Sequence, residues 1–274
     1  MDVVLWLGAG QIGAAIVRRI GFGRKIIIGD INPERAENAA QQLEQAGFDA
    51  AAFKTDATCR GSVRELIEAG SQFGSIAALV HCAGVSPANA APEEIIRTNL
   101  YGAALVLEEV GRVISVGGAG LVVSDAAGKR LTPLGAQTDS LIAECPAEEL
   151  LKVQALRREN IADRAHAGAL AAYGVSKRVM SAAVGWGMRA ARINAVSVGL
   201  VTSKMSRLEL SGSRGEYLRN MYMKSPLGRM GTPDELAGIA EFLMSERGSL
   251  ITGADITADG GITAEYFCGA LKPR

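Results

Sequence analysis

Short runs of aliphatic and β-branched residues alternate with longer amphipathic stretches along this chain, and that rhythm constrains the fold more than any other feature. "VVLWL" (3–7) leads into a helical pattern from Gln11 to Ile20, and "KIIIGD" (25–30) into one over 33–46. "AAFKTD" (51–56) is followed by a helical pattern over 61–70 and then by "IAALVHCAG" (76–84). Strands that are apolar on both faces and separated by helices belong to a parallel sheet covered on both sides. Further strands are expected at "GLVVS" (120–124), "ARINAVSVG" (191–199) and "GADITADGG" (253–261). Neither an internal repeat nor a linker breaks the 274 residues, so one α/β domain spanning 1–274 is expected. Residues 129–170 do not fit the βα rhythm: with Pro133, Pro146 and a charged run they predict a helical insertion. An insertion of that length in a compact domain is expected to serve as a lid or an oligomer contact.

The turn after the first strand reads "GAGQIG", with Gly8, Gly10 and Gly13 in a G-x-G-x-x-G spacing that opens a helix. In that context Gly8 permits the tight turn, Gly10 lets a pyrophosphate approach the backbone, and Gly13 brings helix and strand together. Gln11 and Ile12 complete the turn, and the helix amino terminus offers free N–H groups to phosphate. Asp30 ends the second strand, where a carboxylate accepts hydrogen bonds from ribose hydroxyls and repels a 2′-phosphate, so NAD is expected over NADP. Arg35, a few residues on, is the one nearby cation that could reach a phosphate instead. Asp56, followed by Ala57 after the third strand, is placed either to bind the adenine amino group or to cap the next helix.

Composition narrows the function. Lys+Arg and Asp+Glu balance at 29 each, which argues against nucleic acid as a partner. Cys59, Cys82, Cys145 and Cys268 show no metal-ligand spacing, and only His81 and His166 are available for imidazole chemistry. The scattered thiols suit a reducing compartment, and no apolar run is long enough to span a membrane. No basic leader with a cleavage site is evident at the start of the chain, so a cytoplasmic location is expected. Against this background "AAYGVSKRVM" (171–180) stands out: Tyr173 and Lys177, one helical turn apart, share a face and can reach a common point.

The glycine turn, "HCAGVS", "NLYG", "YGVSK" and "ITGADITADGG", taken in this order, resemble the short-chain dehydrogenase/reductase family over nearly the whole chain. The long segment before the tyrosine looks more loosely like the 3α-hydroxysteroid dehydrogenase/carbonyl reductase branch. The resemblance implies a Rossmann-type, doubly wound, seven-stranded parallel sheet, assembled as a homodimer or homotetramer. It implies that Tyr173 is the general acid in ketone reduction and the base in alcohol oxidation, and that Lys177 holds the nicotinamide ribose and lowers the phenol pKa. By the same resemblance Asn99 holds a relay water behind Lys177, while Cys82, Ala83 and Gly84 match a stretch that runs past the adenosine ribose. A free tyrosine titrates near pH ~10, so a base at neutrality needs a cation beside it.

Four positions depart from the family pattern. The dinucleotide turn is shorter than usual, and Cys82 replaces an asparagine. The substrate-orienting serine at the end of the fifth strand falls on Asp125 in "VVSDAAG", with Ser124 one residue earlier, so either fills that role. A proline-glycine pair becomes Val198-Gly199, and the carboxamide-binding threonine falls on Ser203, with Thr202 as its neighbour. The segment 203–228 supplies Leu208, Tyr217, Met221, Tyr222 and Met223 for a substrate pocket or for packing. The expected activity is NAD(H)-linked hydride transfer on a secondary alcohol or ketone, such as a bulky or apolar steroid-like carbonyl compound. The alternative is a cofactor-binding protein with weak or no turnover and a sensor or assembly role.

Overall fold

The computed structural model describes residues 1–272. Strands β1 (Asp2–Leu7), β2 (Lys25–Asp30), β3 (Asp49–Lys54), β4 (Ser75–His81), β5 (Ala119–Asp125), β6 (Arg192–Val198) and β7 (Asp255–Ala258) form one sheet. Their order is β3-β2-β1-β4-β5-β6-β7 and every pairing is parallel, which is the doubly wound arrangement expected. The first helices are α1 (Gln11–Ile20), α2 (Pro33–Gln45), α3 (Arg60–Ser71) and the single turn α4 (Pro92–Ile95). A π-helical stretch (Ile96–Gly102) runs from α4 into α5 (Ala103–Val113). Then come α6 (Ala136–Glu144), α7 (Ala147–Leu150), the long α8 (Arg164–Gly187), α9 (Lys204–Ser211), α10 (Gly215–Lys224), α11 (Pro233–Met244) and α12 (Ile262–Cys268).

Alternation along β1 explains why helices are needed on both faces. Val3, Leu5 and Leu7 enter one core layer with Leu79, Val122 and Ile193, roofed by α3, α5 and α8. Val4 and Trp6 enter the other with Ile26, Ile28, Leu121 and Val196, roofed by α1, α2 and α11. Burying Trp6 and Trp186, each almost fully enclosed, contributes to both layers.

Boundaries moved where turn chemistry overrides the apolar run. β3 begins two residues earlier than the pattern suggested, and β4 ends at His81, leaving Cys82–Gly84 in the following loop. The insertion is helical, but its last part is the start of α8. Asp163 accepts from the His166 backbone N–H at 2.8 Å and so fixes the helix amino terminus there. Among the described residues no helix is long and apolar enough to cross a membrane.

Candidate active site

Strand order reverses direction between β1 and β4, so the loops after these strands part and leave a crevice at their carboxyl ends. Gly8, at φ +86°, lies so close to the Cys82–Ala83 backbone that a side chain there would collide with it. Gly13 is constrained by a different neighbour, the Trp6 ring, whose indole N–H donates to the Gly8 carbonyl at 2.8 Å. Gly10 is the N-cap of α1, has no side chain to satisfy the helix N–H groups, and faces open space where a Cβ would sit. An uncapped amino terminus with that opening fits the phosphates of a dinucleotide. Ile12 packs against the core beneath the turn. Gln11 turns the other way, its carbonyl oxygen accepting from the Lys204 backbone N–H at 2.7 Å, which ties the turn to the start of α9.

Asp30 is buried at the end of β2. One carboxylate oxygen accepts from Ala9 N at 2.8 Å and the other from Asn32 N at 2.9 Å. Arg35 lies 3.6 Å from the first of these oxygens, so this cation is paired with the aspartate. Asp56 does not cap α3: it accepts from the Thr58 backbone and hydroxyl, both at 2.8 Å, and Cys59 is the N-cap. Ala57 is buried beside it. Cys82 is only partly covered as a residue, yet burial pushes its thiol up to about 12, so it serves as a small neutral group. Ala83 packs against the core, and the exposed Gly84 borders Asn99.

At the opposite side of the crevice α8 presents Tyr173 and Lys177 together. The ammonium nitrogen is 5.0 Å from the centre of the tyrosine ring, confirming the shared face that the spacing predicts. Gly128, just past β5, seats the strand end on α8, since a Cβ there would lie 2.6 Å from the Tyr173 nitrogen. Between the two side chains stands Asp139 from α6. The Tyr173 hydroxyl donates to one of its oxygens at 2.6 Å, and the Lys177 ammonium lies 3.0 Å from the other. The expected acidification of the phenol is absent from the chain by itself. Burial raises the Tyr173 pKa, the Asp139 carboxylate raises it further, and Lys177 only partly opposes them. The same contacts hold Asp139 below the usual carboxylate range, against the effect of burial, and raise Lys177.

Asn99 sits in the π-helical stretch, where its amide is spent on the loop after β4. Its oxygen accepts from Val85 N at 2.8 Å and its nitrogen donates to Val85 O at 2.9 Å. Val122 packs on the α8 side of the sheet and Val123 on the opposite side. Continuing that alternation, Ser124 faces the α8 side and Asp125 the other. Asp125 accepts from Ala127 N at 2.7 Å and caps the short 3-10 turn that follows; although the residue reaches solvent, its packed surroundings raise its carboxyl pKa.

The third wall is made by the chain after β6. Gly199 approaches Asp259 so closely that a Cβ would fall 2.8 Å from its Cα. Thr202 donates to Gly231 O at 3.2 Å, and Ser203 is the N-cap of α9 in a reciprocal box with Ser206. Across the opening, Ser86 donates to Glu209 of α9 at 2.5 Å, so α9 is fastened at both ends. Of the apolar residues expected on this segment, Met221 is buried while Leu208, Tyr217 and Met223 remain exposed. Asp139, Glu209 and the Gln11 clamp were not anticipated from sequence. The one available signal was that Asp139 shares a helix face with Ile142, placing an acid on the buried side of α6.

The family model described as short chain dehydrogenase matches residues 2–133, and that described as enoyl-(acyl carrier protein) reductase matches residues 148–263. A short-chain dehydrogenase/reductase of Alternaria brassicicola, bsc3, is 33% identical over 94% of this chain and 94% of its own. The 3-alpha-hydroxysteroid dehydrogenase/carbonyl reductase of Comamonas testosteroni is 30% identical over 68% of this chain and 72% of its own. Among solved structures, the 3-alpha-hydroxysteroid dehydrogenase from Pseudomonas sp. B-0831 complexed with NADH superposes with a TM-score of 0.75 at 23% identity, covering 99% of this chain and 100% of that one. The shared fold, the two family models and these relatives establish that the chain belongs to the short-chain dehydrogenase/reductase family, oxidoreductases that act on alcohols and ketones.

Proposed function

We propose that this protein transfers a hydride between NAD(H) and a secondary alcohol or ketone, with Tyr173 as the acid–base group. The observation that carries the reading is the juxtaposition of the Tyr173 phenol and the Lys177 ammonium on α8, at the open end of a parallel sheet with an uncapped glycine turn opposite. When bound, the nicotinamide supplies the hydride; the chain's task is to orient the substrate oxygen and to move one proton. In this reading Tyr173 donates its proton to the forming alkoxide during reduction and takes it back during oxidation. Lys177 holds the ribose and favours the phenolate. Ser124, on the α8 side of β5, holds the substrate oxygen, while Asp125 is engaged in its turn. Asn99 contributes to the relay through its backbone, because its amide is engaged with Val85.

Dinucleotide binding falls to Gly8, Gly10, Gln11, Ile12, Gly13, Asp30, Asp56, Ala57, Cys82, Ala83, Gly84, Gly199, Thr202 and Ser203. NAD is favoured over NADP because a 2′-phosphate beside β2 would meet the buried Asp30 carboxylate, with Arg35 already paired to it. That the solved 3-alpha-hydroxysteroid dehydrogenase was crystallised with NADH is consistent with this choice. The exposed Leu208, Tyr217 and Met223 beside α9 favour a bulky carbonyl substrate with apolar faces. We place the protein in the cytoplasm as a homodimer or homotetramer.

Steady NADH production from a panel of secondary alcohols tests the reading. Tyr173→Phe is expected to abolish it while leaving NADH binding nearly intact, and retained turnover would sink the assignment. A wild-type protein silent in both directions despite tight NADH binding would favour the sensor or assembly role.

A further inference from the structure

We propose that Asp139 is a positioning residue of this site: its carboxylate holds the Tyr173 phenol and the Lys177 ammonium together, and it must yield both as substrate and cofactor enter. The inference rests on the reading of Tyr173 as the acid–base group. A phenol has a single hydrogen. While it is donated to Asp139 at 2.6 Å it cannot also be donated to a substrate oxygen. Lys177, 3.0 Å from the other carboxylate oxygen, is likewise engaged where a ribose hydroxyl would need it.

The placement of Asp139 is built into the fold. Gly135, at φ 97°, turns the chain into α6, and Asp139 closes the first helical turn by donating its N–H to Gly135 O at 2.9 Å. In that first turn the helix dipole favours its negative charge. One turn on, Ile142 is fully buried against α8, 3.3 Å from where a Cβ on Gly174 would sit. Burying that side chain seats α6 with Asp139 facing the pair.

The consequence concerns direction. The charged and titratable groups facing the phenol are Lys177 from its own helix and Asp139 from α6; the Leu134 backbone lies on the approach to α6. Lys177 and the Leu134 backbone favour the phenolate, whereas burial and Asp139 favour the phenol, and the second pair prevails. The resting site therefore holds a protonated tyrosine, the form that gives a proton to a reduced ketone. Oxidation of an alcohol needs the phenolate, so Asp139 restrains that direction until it is displaced.

The test is a tyrosine-ionisation titration of the cofactor-free protein by ultraviolet difference absorbance, with Tyr173→Phe as the reference that removes the signal of interest. Asp139→Asn is expected to lower the Tyr173 titration, read as a roughly tenfold gain of phenolate at fixed pH. The pH profile of alcohol oxidation should move to lower pH with it, with NADH binding equal or tighter. A Tyr173 titration that stays in place in Asp139→Asn, with NADH binding intact, would overturn the role of Asp139 and leave Tyr173 as the acid–base group. Retained turnover in Tyr173→Phe would instead overturn the reading beneath it. Should Asp139→Asn fail to fold, Asp139→Ser carries the same comparison.

Discussion

Acid should weaken this fold through one residue outside the chemistry, His81. It ends β4 in the middle of the sheet, between Leu7 of β1 and Val122 of β5, and is 2% exposed. Both ring nitrogens are buried without a hydrogen-bond partner, and burial alone pushes the imidazole down to about 4 from 6.5. The folded pKa lies below the unfolded one, so the unfolded chain binds more protons between them. Stability is therefore intact above pH ~6.5 and is lost as pH falls through the folded value near 4. The full shift corresponds to about 3 kcal/mol, of which about 2 kcal/mol is lost between pH 7 and pH 5. Urea unfolding followed by fluorescence can measure this, because Trp6 and Trp186 are both buried and will report exposure. With a slope of about 3 kcal/mol per molar urea, the wild-type midpoint should fall by roughly 0.7 M over that range. In His81→Leu, which leaves no imidazole to charge, the part of the fall due to this residue should vanish; other titrating groups cancel in the difference. Both proteins must be compared at one concentration, since an oligomer's midpoint depends on it. Parallel wild-type and variant midpoints from pH 7 to pH 5 would refute the argument.

Two further predictions follow from charges with buried partners. Asp30→Asn removes the carboxylate that a 2′-phosphate would meet and frees Arg35, so the proposed preference for NAD over NADP should fall by about tenfold or more, read as the ratio of kcat/KM values. Arg192 donates to the carbonyls of Leu243, Ser245, Gly248 and Ile251 at 2.6 to 3.2 Å, closing the end of α11 and the turn beyond it. Arg192→Met should cost about 3 kcal/mol by leaving those acceptors poorly satisfied, measurable as a lower urea midpoint with NADH affinity little changed.

What could be read from sequence was whatever local periodicity or spacing determines. The extent of α1 and the span of β2 follow from runs whose apolar pattern has a single solution. Tyr173 and Lys177 could be paired because a helix places i and i+4 together without reference to the rest of the chain. Asp139 is different. It lies 34 residues from Tyr173, and its arrival depends on the Gly135 turn and on Ile142 finding a place beside Gly174. Neither condition is periodic, so the acid looked like any solvated residue of a charged insertion. Lys177 does lower the Tyr173 pKa as its spacing implies, but the net direction in the chain alone is upward because burial and Asp139 outweigh it. Asn99 was visible as a residue, but its use of both amide groups on Val85 required the loop after β4 to be placed first.

The two fastenings of α9 bear on how such a protein can be altered. Gln11 belongs to the glycine turn after β1, yet its side chain accepts from the backbone at Lys204, while Glu209 at the other end of the helix is held by Ser86. The glycine turn and α9 are consequently not separable modules. If the proposed function holds, a mutation chosen to retune the turn would also loosen α9, and selection on substrate range would reach back to the turn.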